Sequence, residues 1–473
     1  MLNNDAGFNL IDLETLFGND NLVNVSPDWI CSGVSTDTRT LSEGDIFVAL
    51  KGEVTDGHDK VPAAFLNGAT GAIVNRAWYN DNFQLVEDMP LVLVEDTLES
   101  LAMLAWYHRR QFNMPVIAVG GSNGKTTTKD LIAHVLESKY NILKTYGNYN
   151  NRIGVPLMLL QLSYEHHAAV IEIGTNEPGE IYTLSKMVEP THGLVTNIGR
   201  EHLEKLIDLD GVEQEETFLF GFLNKHDRKS FINMDDVRLR KYDMVLENKF
   251  RFGTRGHAPE DNTDLIVDLQ LNEQLTPVLK FRYEGLDYTA VMKTKGASTG
   301  LNAIAAIAVA LELGMRPNEI IPKIESFEFT RSRGYGRMLV DSFAGILLIN
   351  DCYNANPDSM ESAIRTLGFA NAGGRKYAAL GDMLELGDAS VQEHINIQQK
   401  AAEVAEKVFL YGKNNETALE QQDSKANMYY YTDKQAMAED IFSVLGPGDA
   451  LLVKGSRGMR SEERRVGKEC RSR

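Results

Sequence analysis

Val116-Ile117-Ala118-Val119-Gly120-Gly121-Ser122-Asn123-Gly124-Lys125-Thr126-Thr127-Thr128-Lys129-Asp130 decides how this chain is read. Its first four residues are apolar, as a buried strand requires, and from Thr126 onward Leu131, Ile132 and Val135 carry a helical pattern. Between strand and helix, Gly120, Gly121 and Gly124 leave a backbone that approaches a ligand closely and presents bare N–H groups. Those N–H groups, at the positive end of the following helix, form an anion site. Lys125 adds a point charge for outer phosphates, and Thr126 supplies a hydroxyl suited to Mg²⁺. Strand, turn, Lys-Thr and helix in that order predict a nucleoside triphosphate loop rather than a Gly-rich turn that merely caps a helix. The spacing is G-x-x-G-K-T, and the longer G-x-x-x-x-G-K-T form would need glycine where Val119 stands, so an ordinary kinase or GTPase is not expected. Gly121, Ser122, Asn123, Gly124, Lys125, Thr126 and Thr127 are therefore the expected nucleotide-binding residues, with Lys125 also catalytic.

The 473 residues provide for roughly three domains. Hydrophobic content of 43% and charged content of 24% are ordinary for a soluble globular protein. Cys31, Cys352 and Cys470 stand at no metal-like spacing, which argues against a disulfide framework or a zinc site. Met1–Ile11 lacks the basic-then-apolar pattern of a signal peptide, and no apolar run approaches the roughly 20 residues of a membrane span. A cytoplasmic enzyme is expected. A net charge of −19 speaks against a nucleic-acid partner, so anionic ligands must be held by local groups such as the loop above.

Along the chain, residues 1–112 read as a small α/β domain, with strands at Ile46–Leu50, Ala72–Val74 and Leu91–Val94 and a helix at Leu98–Phe112. Two polar clusters, Ser35–Arg39 and Lys51–His58, each read alone as turns or caps; together they can also hold a phosphate-bearing ligand. Residues 113–330 form the expected central ATPase-like domain. After the phosphate loop come strands at Asn141–Lys144, Ala168–Ile173 and Gly193–Asn197, alternating with helices as a parallel sheet demands. Further strands are expected at Lys229–Asn233, Leu265–Leu271 and Pro277–Tyr283, and helices at Gly300–Leu313 and Asn318–Ser326. Ligands of such sheets sit at the carboxyl ends of the strands, where Glu172 and His202 also fall. Glu172 is either a Mg²⁺ ligand or a solvated strand-end charge; His202 is either a metal contact or a cap or core histidine. Residues 331–460 alternate again, with strands at Gly345–Asn350, Tyr377–Leu380, Val408–Tyr411 and Ala450–Val453, and helices at Asp358–Phe369, Val391–Glu406 and Lys434–Leu445. That is a third, Rossmann-like domain, with polar loops after three of its strands.

Taken together, G-S-N-G-K-T-T-T-K, G-N-Y-N-N-R-I-G-V-P, E-I-G-T-N-E-P-G-E-I, T-N-I-G-x-x-H-L, D-x-Y-N-A-N-P-x-S-M, L-G-D-M-L-E-L-G and K-G-S-R-G-M resemble the Mur ligases. The resemblance spans about Ser35 to Arg460, and the Y-N-A-N-P and G-D-M-L-E-L-G loops point to the branch that adds D-alanyl-D-alanine. It implies an ATP-dependent amide ligase of peptidoglycan precursor synthesis, and so of cell shape and division. ATP and Mg²⁺ would be used to join UDP-N-acetylmuramoyl-tripeptide to D-alanyl-D-alanine through an acyl phosphate, in a monomer. By resemblance, Asn148 and Asn151 line the phosphate and substrate site, Asn302 lies near the adenine, and Arg337 and Asp351 meet the nucleotide from the third domain. Ser35, Thr36 and Arg39 are candidates for the UDP end, and Asn354, Asn356, Lys454 and Arg457 for the dipeptide. The nearest alternatives are another amide ligase of the same superfamily, or an inactive nucleotide-binding homologue.

Four positions depart from the family pattern. Gly120 stands where threonine is usual, and of H-N-x-x-N only the last residue, Asn302, is kept. Glu216 occupies the position of the family's carbamylated lysine, which makes it a candidate catalytic metal ligand alongside Thr126, Glu172 and His202. The other reading of Glu213–Glu216 is a run of solvent-facing helix charges. Residues 461–473 lack an apolar stripe and look foreign to the fold, as an atypical tail or artefact.

Overall fold

The phosphate-loop strand, Val116–Gly120, lies inside a nine-stranded sheet, between Ala168–Glu172 on one side and His192–Val195 on the other. All three run parallel, with Val119 opposite both Glu172 and Leu194. That register opens the three following loops at the same edge. Val116–Gly120 and Ala168–Glu172 are buried at every residue, which is why they read as unbroken apolar runs. The helix Lys125–Leu136 then packs its Leu131, Ile132 and Val135 against Ala297–Glu312, whose alanine-rich face lets the two helices and the sheet meet closely. This computed structural model describes residues 4–52, 54–329, 339–371 and 373–456.

The sequence leads to a parallel sheet throughout, and one edge departs from that. Leu265–Leu271, Pro277–Tyr283 and Leu286–Val291 pair antiparallel. Only five residues link the first two, too few for the crossover that parallel pairing needs. Lys249–Thr254, which no expectation covered, joins this edge to the rest, parallel to both neighbours. Its alternating Phe250 and Phe252 are the period-two signal that its charged residues obscure.

Residues 22–94 contribute a five-stranded sheet in the order Leu22–Val23, Leu91–Val94, Gly71–Asn75, Asp45–Val48, Gly33–Ser35, parallel except at the first strand. Beyond residue 338 a six-stranded sheet is parallel except for its edge hairpin, Leu339–Phe343 with Ile346–Asn350. In the third sheet, Ile346–Asn350, Ala450–Lys454 and Lys376–Gly381 are neighbours, so their loops also open together.

A short helical segment of the central domain seats the third domain. Leu203, Leu206 and Val212 are buried in one cluster with Met383 and Leu386. At roughly 1.5–3 kcal/mol for each large apolar side chain removed from water, this contact is a substantial restraint on where the third domain lies. Among the described residues, no helix is long and apolar enough to cross a membrane.

Candidate active site

Two backbone turns shape the phosphate loop. Gly121 and Gly124 have φ of 107° and 84°, the left-handed region that side-chain-bearing residues avoid. A Cβ on Gly124 would also stand 2.5 Å from Asn302 Oδ1, so glycine there lets Asn302 close on the loop. The strand-end residues Thr196 and Asn197 brace the loop from behind. Ser122 N–H donates to Asn197 O (2.9 Å), Asn123 N–H to Asn197 Oδ1 (3.1 Å), and Thr196 Oγ1 to Asn123 O (2.7 Å). Lys125 follows as the first residue of its helix, with Nζ 3.3 Å from Ser122 O and 3.5 Å from Glu201 Oε2.

Around Lys125 lie three buried carboxylates, each with one oxygen that has no hydrogen-bond partner. Glu172 Oε1 accepts from Asn150 Nδ2 at 2.9 Å, leaving Oε2 bare. Glu201 reaches Lys125, leaving Oε1 bare. Glu216 Oε2 accepts the N–H of Gly121 at 2.6 Å, leaving Oε1 bare. Burial works against the charge on Lys125, but Glu201, Glu216 and Glu172 outweigh it and hold its pKa above that of a free lysine. Burial pushes the Glu216 carboxyl up to about 7; Lys125 offsets this only in part, and the like charge of Glu201 adds to the rise. One ammonium cannot satisfy three buried acids, and unpaired buried oxygens are costly. The cluster therefore fits a divalent cation, the charge that an ATP site requires. Among the described residues no three acids or histidines form a ready-made metal cage. Mg²⁺ does not need one, since it keeps waters and phosphate oxygens among its ligands.

Facing this edge across a cavity of about 700 Å³ are the strand-end loops of the third domain. Lys454 Nζ donates to Asp351 Oδ2 (2.6 Å) and to Asn354 O (2.9 Å), fixing the 351–356 loop. Asn356 caps the helix Pro357–Phe369 with its Oδ1 and donates its Nδ2 to Asn123 Oδ1 at 2.9 Å, so the third domain touches the phosphate loop directly. His202 Nδ1 sits 2.7 Å from Glu385 Oε2. Burial lowers the His202 pKa, but the bond to Glu385 and the charge of Glu201 raise it further, to a net value above ordinary histidine.

The cavity wall gathers most of the residues singled out from sequence. Ser122 to Thr127, Asn148, Asn151, Glu172, His202, Asn302, Asp351, Asn354, Asn356 and Lys454 all line it. Gly121 and Glu216 lie just behind the loop, joined by their hydrogen bond, and Glu216 is not on the cavity wall. Ser35, Thr36 and Arg39 are away from this cavity; Arg39 is exposed and paired with Asp37 at 2.5 Å. Arg337, Arg457 and residues 461–473 lie outside the described residues.

The reading of Glu213–Glu216 as solvent-facing charges does not hold for its last two members, both buried. Glu215 receives the N–H groups of Gly179 (2.7 Å) and Ile181 (2.8 Å) at the start of the helix Glu180–Val188, which makes it a structural anchor. The departure at Gly120 has a local reason as well: a Cβ there would come within 2.9 Å of Glu216 Oε2. Asn150 and Glu201 are site residues that the sequence reading did not single out, as are Thr196, Asn197 and Glu385. Asn150 and Glu201 lie within the quoted motifs G-N-Y-N-N-R-I-G-V-P and T-N-I-G-x-x-H-L, and position relative to the strand was the available signal.

The chain matches three family models in succession: Mur ligase family, catalytic domain, at residues 31–109; Mur ligase middle domain at 119–310; and Mur ligase, glutamate ligase domain, at 336–457. It belongs to the Mur ligase family. Within it, the Bacillus subtilis UDP-N-acetylmuramoyl-tripeptide–D-alanyl-D-alanine ligase is 33% identical over 92% of this chain and 92% of its own length. MurF from Acinetobacter baumannii superposes with a TM-score of 0.86 at 28% identity, covering 99% of both chains. MurF from Thermotoga maritima, solved in complex with ADP, gives 0.81 at 27% identity, covering 93% of this chain and 98% of that one.

Proposed function

We propose that this chain is an ATP-dependent ligase that joins the terminal carboxyl group of UDP-N-acetylmuramoyl-tripeptide to the amine of D-alanyl-D-alanine, in the cytoplasm. The observation that carries the reading is the single cavity in which a triphosphate loop and the Asp351–Asn356 and Lys454 loops of the third domain face each other. The substrate carboxylate attacks the γ-phosphorus and ADP leaves. The dipeptide amine then attacks the acyl carbon, and phosphate leaves as the amide forms and the nitrogen gives up its proton.

Phosphoryl transfer of this kind asks the protein mainly for positioning and charge neutralisation. The N–H groups between Ser122 and Thr126 hold the phosphates, and Lys125 stabilises charge developing on the transferred group. Thr126, Glu172 and His202, with Glu201 beside them, are the residues proposed to hold Mg²⁺, which when bound would neutralise negative charge on the phosphates. His202 would take part as a neutral imidazole through Nε2, with its Nδ1–H kept on Glu385. Glu216 is proposed to serve this cluster from behind the loop, where a cation bound in the site would favour its ionised form and its Oε1 would then supply negative charge without bound carbon dioxide. Asn302 borders the nucleotide beyond Gly124. Asn148 and Asn151 lie towards the acceptor carboxylate. Asn354, Asn356 and Lys454 form the dipeptide side, and the third domain seated over the loop keeps water from the acyl phosphate. Ser35, Thr36 and Arg39 remain proposed for the UDP end.

Release of ADP and phosphate tests the reading. Release should require the tripeptide nucleotide and rise strongly with D-alanyl-D-alanine but weakly with single amino acids. Equal stimulation by glutamate or diaminopimelate would assign the chain to another amide ligase. No release with any acceptor would make it a nucleotide-binding protein only.

A further inference from the structure

The loop Gly199-Arg200-Glu201-His202 touches the phosphate loop with one side and the third domain with the other. On the first side, Ser122 Oγ and Gly199 exchange hydrogen bonds, Gly199 N–H donating at 2.8 Å and Ser122 Oγ donating to Gly199 O at 3.2 Å, while Glu201 meets Lys125. On the second side, Arg200 spreads its guanidinium over three carboxylates of the third domain. Nη2 bonds Asp358 Oδ1 (2.7 Å) and Glu361 Oε1 (2.7 Å), Nη1 bonds Glu393 Oε2 (2.9 Å), and the backbone N–H of Arg200 bonds Asp358 Oδ2 (2.5 Å). Asp358 and Glu361 lie on the helix that Asn356 caps, and Glu393 lies on the next helix, Ser390–Val404. Gly199 marks how tight the junction is: a Cβ there would stand 2.6 Å from Asp358 Oδ2 and 3.3 Å from Ser122 Cβ.

We infer that Arg200 is a positioning residue that couples the phosphate loop to the placement of the third domain. The inference rests on the ligase reading for its consequence in turnover, but not for its structural content. The chemistry supports the assignment. A planar guanidinium presents five donors in a fixed fork and can serve three carboxylates at once, which a lysine ammonium or a neutral amide cannot match geometrically. Without it, three acids face one loop, and among the described residues the remaining ion pair to them is Lys400 at 2.7 Å from Glu361. Mutual repulsion then drives the third domain away from the central one, carrying Asp351, Asn354 and Lys454 out of reach of the phosphate loop. Arg200 touches neither phosphates nor the reacting atoms in this arrangement, since it is not among the residues on the cavity wall.

Arg200→Gln and Arg200→Lys, made in the full chain, separate the possible roles. ADP binding by calorimetry reads the phosphate loop alone, small-angle scattering reads the third domain's placement, and both are independent of which acceptor the enzyme uses. For Arg200→Gln the expected results are ADP affinity within about threefold of wild type, a larger radius of gyration, and kcat reduced by about tenfold to a hundredfold. Arg200→Lys should recover part of the compaction and of kcat together. An Arg200→Gln protein as compact as wild type would overturn the inference, as would one whose ADP affinity falls as far as its kcat. If the protein expands as expected but the ligase assay is silent for wild type too, the ligase reading fails and the coupling stands.

Discussion

At the carboxyl end of the central sheet, Glu172, Glu201 and Glu216 each keep a buried oxygen with no partner. At the matching end of the third domain's sheet, among the described residues, Asp382 and Lys454 have their partners within the domain. Asp382 accepts from the backbone N–H groups of Asn414 (3.0 Å) and Asn415 (2.9 Å) and from Asn415 Nδ2 (3.0 Å), and Lys454 is shared between Asp351 and Asn354. Both sheets are largely parallel and face one cavity, yet one end holds charge that the protein leaves unbalanced while Asp382 and Lys454 at the other are paired. Buried groups without partners cost stability, so a site that keeps them is shaped for something that arrives. A site whose charges are paired gives shape and fixed loop geometry.

The contrast is tested most severely at its two lysines. Lys125→Ala should reduce turnover by at least a thousandfold in a folded protein, because the cation facing the transferred phosphate is gone. Steady-state kinetics with a melting curve checks this, and turnover within about tenfold of wild type, a barrier change near 1.4 kcal/mol, would sink the assignment. Lys454→Ala should be milder, lowering kcat/KM for the dipeptide by about ten- to a hundredfold, or roughly 1.4–2.7 kcal/mol, with ADP affinity unchanged. Loss of ADP affinity in that variant would erase the distinction between the two ends.

Glu216 sharpens the comparison on the unbalanced side. Glu216→Ala should lose most activity, on the order of tenfold or more, whereas Glu213→Ala, which removes only a pairing with Arg238 and Lys241, should not. Glu215→Ala is expected to lower the melting temperature through the helix start it anchors. Wild-type activity should be indifferent to bicarbonate depletion; a dependence on bicarbonate would mean that a carbamate elsewhere does this work.

The smallest expected effect is one of pH. In the folded chain the Glu216 carboxyl holds its proton up to about pH 7, against an unfolded value near 4.5. The native state therefore binds this proton more tightly, its contribution is present in full below about pH 4.5, and it is lost as pH rises through about 7. Without nucleotide or divalent cation, Glu216→Gln should remove this part of the pH dependence. It should be more stable than wild type at pH 8, by an amount on the order of 1–3 kcal/mol, read from denaturant unfolding. Identical unfolding of the two proteins at pH 8 would show that Glu216 is already compensated.

Local order was legible wherever backbone chemistry and apolar runs agree. The phosphate loop is the clearest case, since glycine at 121 and 124, a lysine and a threonine leave one conformation and one chemistry. Leu91–Val94, Lys229–Asn233, Leu265–Leu271 and Pro277–Tyr283 occur with the bounds read from sequence, because their apolar pattern matches the period of a strand. The edge hairpin of the central sheet was read as strands but not as antiparallel, since direction is set by the connection and not by side-chain pattern. Arg200 gave no sign at all: its partners at 358, 361 and 393 are far away in sequence, and only packing of two domains brings them together.

By itself, the sequence determined which groups this protein can bring to chemistry: a loop of bare N–H groups ending in Lys125 and Thr126, acids at strand ends, and amide-rich loops in the third domain. These follow from neighbours in the chain. Tertiary structure alone decided that Glu216 lies behind the loop at Gly121, that Glu215 anchors a helix, that Asn356 reaches Asn123, and that three buried oxygens are left without partners. Those facts depend on which surfaces meet and how much water they exclude, and burial is a property of the folded whole that no local stretch of residues encodes.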